Sequence, residues 1–272
     1  MKPFLSIITI NYNNSIGLER TIQSVISQTF KYFEFLVIDG ASNDGSLEII
    51  QKNKTAIHHS ISEPDTGIYN AMNKGIKKAN GDFVIFMNSG DTFCNENVLK
   101  NCSSEINTDF DLFYGDAYFI TKNETVKVEY PDKLSFHFFT INSLCHQACF
   151  IKRSLFYDIF FYNENFKIIS DWEFMIYIIC NRNIKYKHLN QFITNYNYEG
   201  ISSKTETIEL IKNETKKVME TYFPAFIDDY KNIAEIESKR IKNILKIKKH
   251  PFAWKLLKGF SNFLLIFIPK KN

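Results

Sequence analysis

Cysteine is scarce in this chain, and its five copies (Cys94, Cys102, Cys145, Cys149 and Cys180) are an odd number with no C-x-x-C spacing. That pattern does not read as a disulfide framework, and it predicts reduced, structural thiols. Cys145-His146 with Cys149 supplies half of a zinc ligand set, but no second Cys/His pair at a usual spacing completes it. Glycine is scarce as well, at ten residues, and no Gly-rich basic loop follows the first apolar run. A sugar nucleotidyltransferase, which would cradle phosphates there, is disfavoured. The chain has no internal repeat or low-complexity linker, and its last apolar stretch, Pro251 to Pro269, is interrupted by Lys255 and Lys258. Such a stretch suits a bilayer interface better than a membrane span. Met1-Lys2-Pro3 leads straight into Phe4 to Ile10, a run too short for a secretory signal, so a cytoplasmic protein is expected.

What is present reads as a globular protein. The apolar fraction of 44% and charged fraction of 23% exclude disorder, and 272 residues can bury one sizeable core. The net charge of +3 hides an asymmetry. Ten basic and no acidic residues lie from Lys239 onward, leaving 23 basic against 30 acidic before it, a balance of −7. A mildly acidic body carries a strongly basic tail.

The N-terminal half alternates strand-like apolar runs with helical spacing, as consecutive βαβ units do. Strands are predicted at Phe4 to Ile10, Phe33 to Ile38, Ile57 to Ile61 and Phe83 to Met87. Leu18, Ile22, Val25 and Ile26, and later Ile68, Met72, Ile76 and Ala79, recur at helical intervals between them. Further on, 111–115 and 117–120 read as strands, whereas the apolar run Trp172 to Ile179 fits a helix or a strand equally. Two charged helices broken near Pro224 are predicted between Glu206 and Ile247.

Polar residues end three of the strand-like runs, where open α/β sheets bind ligands. Asn11-Tyr12-Asn13-Asn14 follows the first and offers hydrogen bonds and a stacking ring to a base or ribose. Asp39 ends the second, before a glycine-containing turn, and can accept from a base N–H or a ribose hydroxyl; a capping turn explains Ser42, Asn43 or Asp44 better than it explains Asp39. Asn88-Ser89-Gly90-Asp91 ends the fourth and places a carboxylate beside the same crevice, as a cation site requires. The loop from Ser62 to Gly67 opens a helix whose N–H groups suit a diphosphate. Lys74 adds positive charge there if it turns inward, and is otherwise a solvated lysine.

Taken in order, Ser6 to Asn13, Ser24 to Phe30, Glu34 to Gly40, Gly81 to Asn88 and Ser170-Asp171-Trp172-Glu173 resemble the inverting family-two glycosyltransferases that build bacterial surface polysaccharides. The resemblance spans about residues 4 to 205. It implies a GT-A fold: a Rossmann-like, mostly parallel sheet flanked by helices, in a domain over 1–205 with a nucleotide-binding half over about 1–92 and an acceptor half over about 93–205. A helical extension with a basic amphipathic tail would occupy 206–272. The implied activity is inverting transfer of a sugar from a nucleotide-diphosphate donor, UDP-linked by resemblance, to a saccharide or lipid-linked saccharide. A non-catalytic nucleotide-sugar or glycan-binding protein is the alternative.

The resemblance assigns Asn11, Tyr12 and Asp39 to the base and ribose and Asp65 to donor orientation. It makes Asp171 the catalytic base, with Glu173 its rival, and puts His146 and Ser202 on the acceptor side. The chain departs from the family at two places. The Asp-x-Asp metal motif is reduced to Asn88 and Asp91, which leaves one carboxylate and one neutral oxygen for Mg2+ or Mn2+. Met72 stands where many relatives place an arginine near the diphosphate. The basic tail is expected to hold the protein at an anionic membrane surface on the inner face of the cell membrane, and no nucleic-acid partner is expected.

Overall fold

The computed structural model describes residues 3–198, 205–236 and 238–268. Two compact units make up the chain, Met1–Tyr222 and Phe223–Asn272; the first reaches past the boundary near residue 205 expected from the sequence.

In the first unit, β1 (Leu5–Asn11), β2 (Phe33–Asp39), β3 (His59–Ser62) and β4 (Phe83–Phe86) form parallel pairs in the order β3-β2-β1-β4. All four predicted strands exist, within two residues at their ends. Every residue of β1 and β4 is buried, which is why they read as continuous apolar runs. Each fully buried Ile or Leu contributes about 1.5–3 kcal/mol. Ser6 and Thr9 interrupt β1 at no cost, because their hydroxyls donate to Glu34 Oε1 and the Met87 carbonyl.

The crossovers are α1 (Ser15–Ile26), α2 (Ser46–Lys52) and α3 (Ile68–Lys78). Asn14 caps α1, accepting from the Gly17 N–H while donating to the Ser89 carbonyl, so the helix start is tied to the end of β4. On α3, Gly75 lets the helix lie directly on β1, since a Cβ there would stand 2.6 Å from Ile8 Cγ2.

Beyond β4 the sheet becomes mixed. β5 (Thr92–Phe93), α4 (Val98–Ser103), β6 (Leu112–Ile120), β7 (Thr125–Val128), α5 (Phe136–Ile141), β8 (Cys149–Lys152), α6 (Ser154–Asp158), α7 (Ser170–Ile176) and β9 (Tyr186–Asn197) complete it, in the order β4-β8-β6-β9-β5 with β7 on β6. The two runs read as separate strands over 111–120 are one strand, β6. The ambiguous run from Trp172 is helical, and it is apolar all round because both its sides are buried. α8 (Ile208–Tyr222) closes the first unit, with Glu214 accepting from the Lys167 and Ile168 N–H groups.

The second unit holds α9 (Ile227–Ile236), α10 (Lys239–Lys248) and α11 (Pro251–Leu265). Pro224 does break the helical stretch, but a second break before Lys239, capped by Ser238, makes three helices where two were expected. No helix among the described residues is long and apolar enough to cross a membrane.

Candidate active site

The β1-β2-β3 register sets Asn11 beside Asp39 and Asp39 beside Ser62. Their side chains join into a row at the C-terminal edge of the sheet. Ser89 Oγ donates to Asn11 Oδ1 (2.8 Å), Asn11 Nδ2 to Asp39 Oδ1 (2.7 Å), and Ser62 Oγ to Asp39 Oδ2 (2.6 Å). Ser42 adds its backbone N–H and hydroxyl to Asp39. The fully buried Asp39 thus has all of its roughly four acceptor positions engaged. Burial opposes its charge, but the hydrogen bonds from Ser42, Ser62 and Asn11 outweigh burial and hold the carboxyl below its ordinary range. The row crosses the point where strand order reverses between β1 and β4, the usual ligand crevice of an open sheet.

Tyr12, the residue after Asn11, is 67% exposed. A Cβ on Gly40 would lie 2.7 Å from Asp65 Oδ2 and 3.1 Å from the Tyr12 ring, so three loop ends converge there only because residue 40 lacks a side chain. Asp65 also accepts from the Gly67 N–H, shaping the turn into α3. Lys74 is bound to that loop, with Nζ 2.8 Å from Glu63 Oε1 and 3.0 Å from the Pro64 carbonyl. Met72 is buried in the core, so its position supplies no cation.

Gly90, directly before Asp91, takes φ +106, a left-handed backbone that favours glycine. Asp91 is only 4% exposed. Its Oδ1 accepts from the Asn197 N–H (2.8 Å) and its Oδ2 from Gln147 Nε2 (2.9 Å). Burial pushes its carboxyl up to about 7 against the opposing pull of those bonds and of Arg20. Asn88 Oδ1 is buried without a hydrogen-bond partner in the structure.

The short turn His146–Ala148 is buried beside Asp91. Gln147 holds Asp91, while burial lowers the His146 imidazole pKa against the opposing pull of the Asp171 charge. The His146 ring packs on Phe86 at 4.8 Å, and its Nε2 has no partner. Asp171, half-buried in the first turn of α7, accepts from the Tyr69 hydroxyl at 2.8 Å. Glu173 shares that turn. Helical geometry turns residues two apart about 200° from each other, which separates a pair that an extended reading leaves on one face. Glu173 is buried against Ser170, Asn163 and Tyr222, and burial pushes it up to about 7 despite their hydrogen bonds. Ser202 lies outside the described residues.

Ser42, Ser62, Gln147 and Tyr69 were not assigned to these contacts from sequence. Strand register gives Ser62, and Gln147 stands next to a residue already singled out. Tyr69 meets Asp171 across 102 positions, a pairing no local pattern carries.

The profile of glycosyl transferase family 2 matches residues 6–164, more than half of the chain. A PGL/p-HBAD biosynthesis glycosyltransferase from Mycobacterium bovis is 29% identical over 220 residues, covering 77% of this chain and 83% of the relative. A putative teichuronic acid biosynthesis glycosyltransferase, TuaG from Bacillus subtilis, is 33% identical over 102 residues, or 36% of this chain and 40% of TuaG. Among solved structures, S. aureus TarS 1-349 in complex with UDP-GlcNAc has a TM-score of 0.65 at 18% identity, over 89% of this chain and 75% of that one. Against another TarS 1-349 crystal structure, this chain covers 60% of that chain. The mannosyltransferase PcManGT from Pyrobaculum calidifontis, in complex with GDP-Man and Mn2+, has a TM-score of 0.63 at 12% identity, over 97% of this chain and 81% of PcManGT. By profile match the chain belongs to glycosyl transferase family 2, and its likeness to the solved structures gives it the GT-A fold.

Proposed function

We propose that this chain transfers a sugar from a UDP-linked donor to a saccharide or lipid-linked saccharide, with inversion at the anomeric carbon, in the building of a surface polysaccharide. One observation carries the reading. The segment from Asp65 to Tyr69 meets Gly40 and Tyr12 at the end of the Asn11–Asp39 row through Asp65 and bonds the half-buried Asp171 through the Tyr69 hydroxyl, so the polar row and this carboxylate are joined by one short stretch of chain. The TarS complex with UDP-GlcNAc and the biosynthetic relatives support the donor and product class.

In this reading the nucleoside lies along Asn11, Asp39 and Tyr12, with Asp65 orienting the donor. Asp171 removes the proton of the acceptor hydroxyl as that oxygen bonds to the anomeric carbon. The bond from that carbon to the diphosphate breaks on the opposite face, and its electron pair leaves with the nucleoside diphosphate. Asn88 Oδ1 and Asp91 would hold a Mg2+ or Mn2+. The buried, unpartnered amide oxygen fits such an ion, and no group of three or more His, Cys, Asp or Glu among the described residues could hold one unaided, so the diphosphate and water complete the ligand set. That ion supplies charge stabilisation to the leaving diphosphate. Lys74, paired with Glu63, stiffens the loop before α3 and adds little charge of its own.

Asp171→Asn keeps size and polarity but cannot take the proton, so nucleotide release from a panel of nucleotide sugars with acceptor should fall about 10²–10⁴-fold. Retained turnover in that variant removes Asp171 from the reaction, and absence of turnover with any donor in the wild type favours a binding protein.

The second unit supports placement at the inner face of the cell membrane. Six basic residues lie between Lys239 and Lys249, next to a helix whose Phe252 is 76% and Phe260 60% exposed. Each such cation near an anionic leaflet contributes roughly 1 kcal/mol. In liposome flotation with anionic lipid, the full chain should float and a chain ending at Ser238 should not. Equal flotation of the two would contradict this placement.

A further inference from the structure

Tyr69 sits in the first turn of α3, four residues after Asp65, and is 4% exposed. Its ring packs on Tyr162, with centroids 5.7 Å apart. Its hydroxyl oxygen lies 2.8 Å from Asp171 Oδ1 and 2.5 Å from the Ile168 carbonyl oxygen, and the N–H groups of Asp171 and Ser170 face the same oxygen. A phenol has one proton to give, and an ionised carboxylate makes the stronger bond of the two acceptors. Burial together with the Asp171 charge raises the Tyr69 pKa well above its ordinary value, so the proton stays on the ring oxygen.

The consequence falls on Asp171. A side chain at a half-buried helix start can rotate about two torsions. The Tyr69 contact is its one hydrogen bond among the described residues, and it is made at Oδ1. That bond restrains Oδ1 and leaves Oδ2 without a hydrogen bond among the described residues. Because Asp65 and Tyr69 belong to one loop and helix start, the same segment that shapes the nucleotide edge also aims the acidic side chain.

We propose that Tyr69 is a positioning residue for the transfer reaction, holding Asp171 through its Oδ1 so that Oδ2 faces the acceptor hydroxyl; this rests on Asp171 being the base. General-base geometry tolerates little misplacement, since shifts near 1 Å cost up to about 100-fold.

The test is Tyr69→Phe in the full chain, which keeps the ring and its packing and removes only the hydroxyl. The expected result, measured well below the melting transition, is a kcat about tenfold lower and a donor KM within about twofold of wild type, with a small fall in melting temperature because the Ile168 carbonyl loses its donor. In an Asp171→Asn background the same change should cost nothing further, because the group it aims is already disabled. An unchanged kcat, a raised donor KM at constant kcat, losses that multiply in the double variant, or an activity loss that vanishes at temperatures well below the melting transition would each overturn the proposal. Full turnover in Asp171→Asn alone would instead show that the underlying base assignment is wrong, and the proposal falls with it.

Discussion

The row Ser89-Asn11-Asp39-Ser62 and the region around Asp91 and Asp171 use polar residues in opposite ways. Along the edge, each polar side chain is spent on its neighbour: Ser89 on Asn11, Asn11 and Ser62 on Asp39, with Ser42 adding two more bonds. Elsewhere, Asn88 Oδ1, His146 Nε2 and Tyr162 Oη are buried without partners, and burial opposes the charge of Asp91. A saturated network is rigid and specifies one geometry, whereas unpaired buried groups cost about 1–3 kcal/mol each and persist where function uses them. The first region is built into the sheet register, while the second keeps buried polar groups unpaired at the expense of stability.

The sharpest way to break this contrast is to remove the cation. Chelation should lower turnover at least about 100-fold, with Mg2+ or Mn2+ restoring it. Full turnover after chelation would show that Asn88 and Asp91 serve only the fold.

Asp39→Ala should act on both binding and stability, because it strips partners from Asn11, Ser42 and Ser62 together. A loss of about 1–3 kcal/mol is expected in nucleotide affinity by calorimetry, accompanied by a lower melting temperature. An affinity equal to wild type in the folded variant would take the row out of the nucleotide site.

Glu173 gives the smallest effect and sharpens the distinction from Asp171. Its folded pKa of about 7 lies above the ordinary value of 4.5, so between those pH values the folded state binds more protons than the unfolded one. Stability therefore falls as pH rises through that window, and Glu173→Gln should remove this part of the decline. Urea midpoints at pH 5 and pH 8 check it: the variant should lose less between them than the wild type. An identical pH dependence would mean that Glu173 is not buried as described.

Much of the edge was legible in the sequence because parallel strands buried on both faces announce themselves as apolar runs, and Asn11 and Asp39 close two of them. The reading stopped where register and long-range packing begin. Ser62 joins Asp39 only once β2 and β3 are paired, and the Tyr69–Asp171 bond needs α3 laid beside α7. The run from Trp172 resisted assignment because a helix buried all round has no polar face to mark its period. Lys74, read as a possible diphosphate cation, is engaged with Glu63, a partner eleven residues away that the loop's fold brings back.

The central claim, that the edge binds and Asp171 reacts, is tested most directly by titrating UDP into the Asp171→Asn protein while measuring its turnover with donor and acceptor. The account predicts UDP affinity equal to wild type with turnover reduced about 10²–10⁴-fold. Turnover near wild type, or a loss of UDP affinity as large as the loss of turnover, would contradict it.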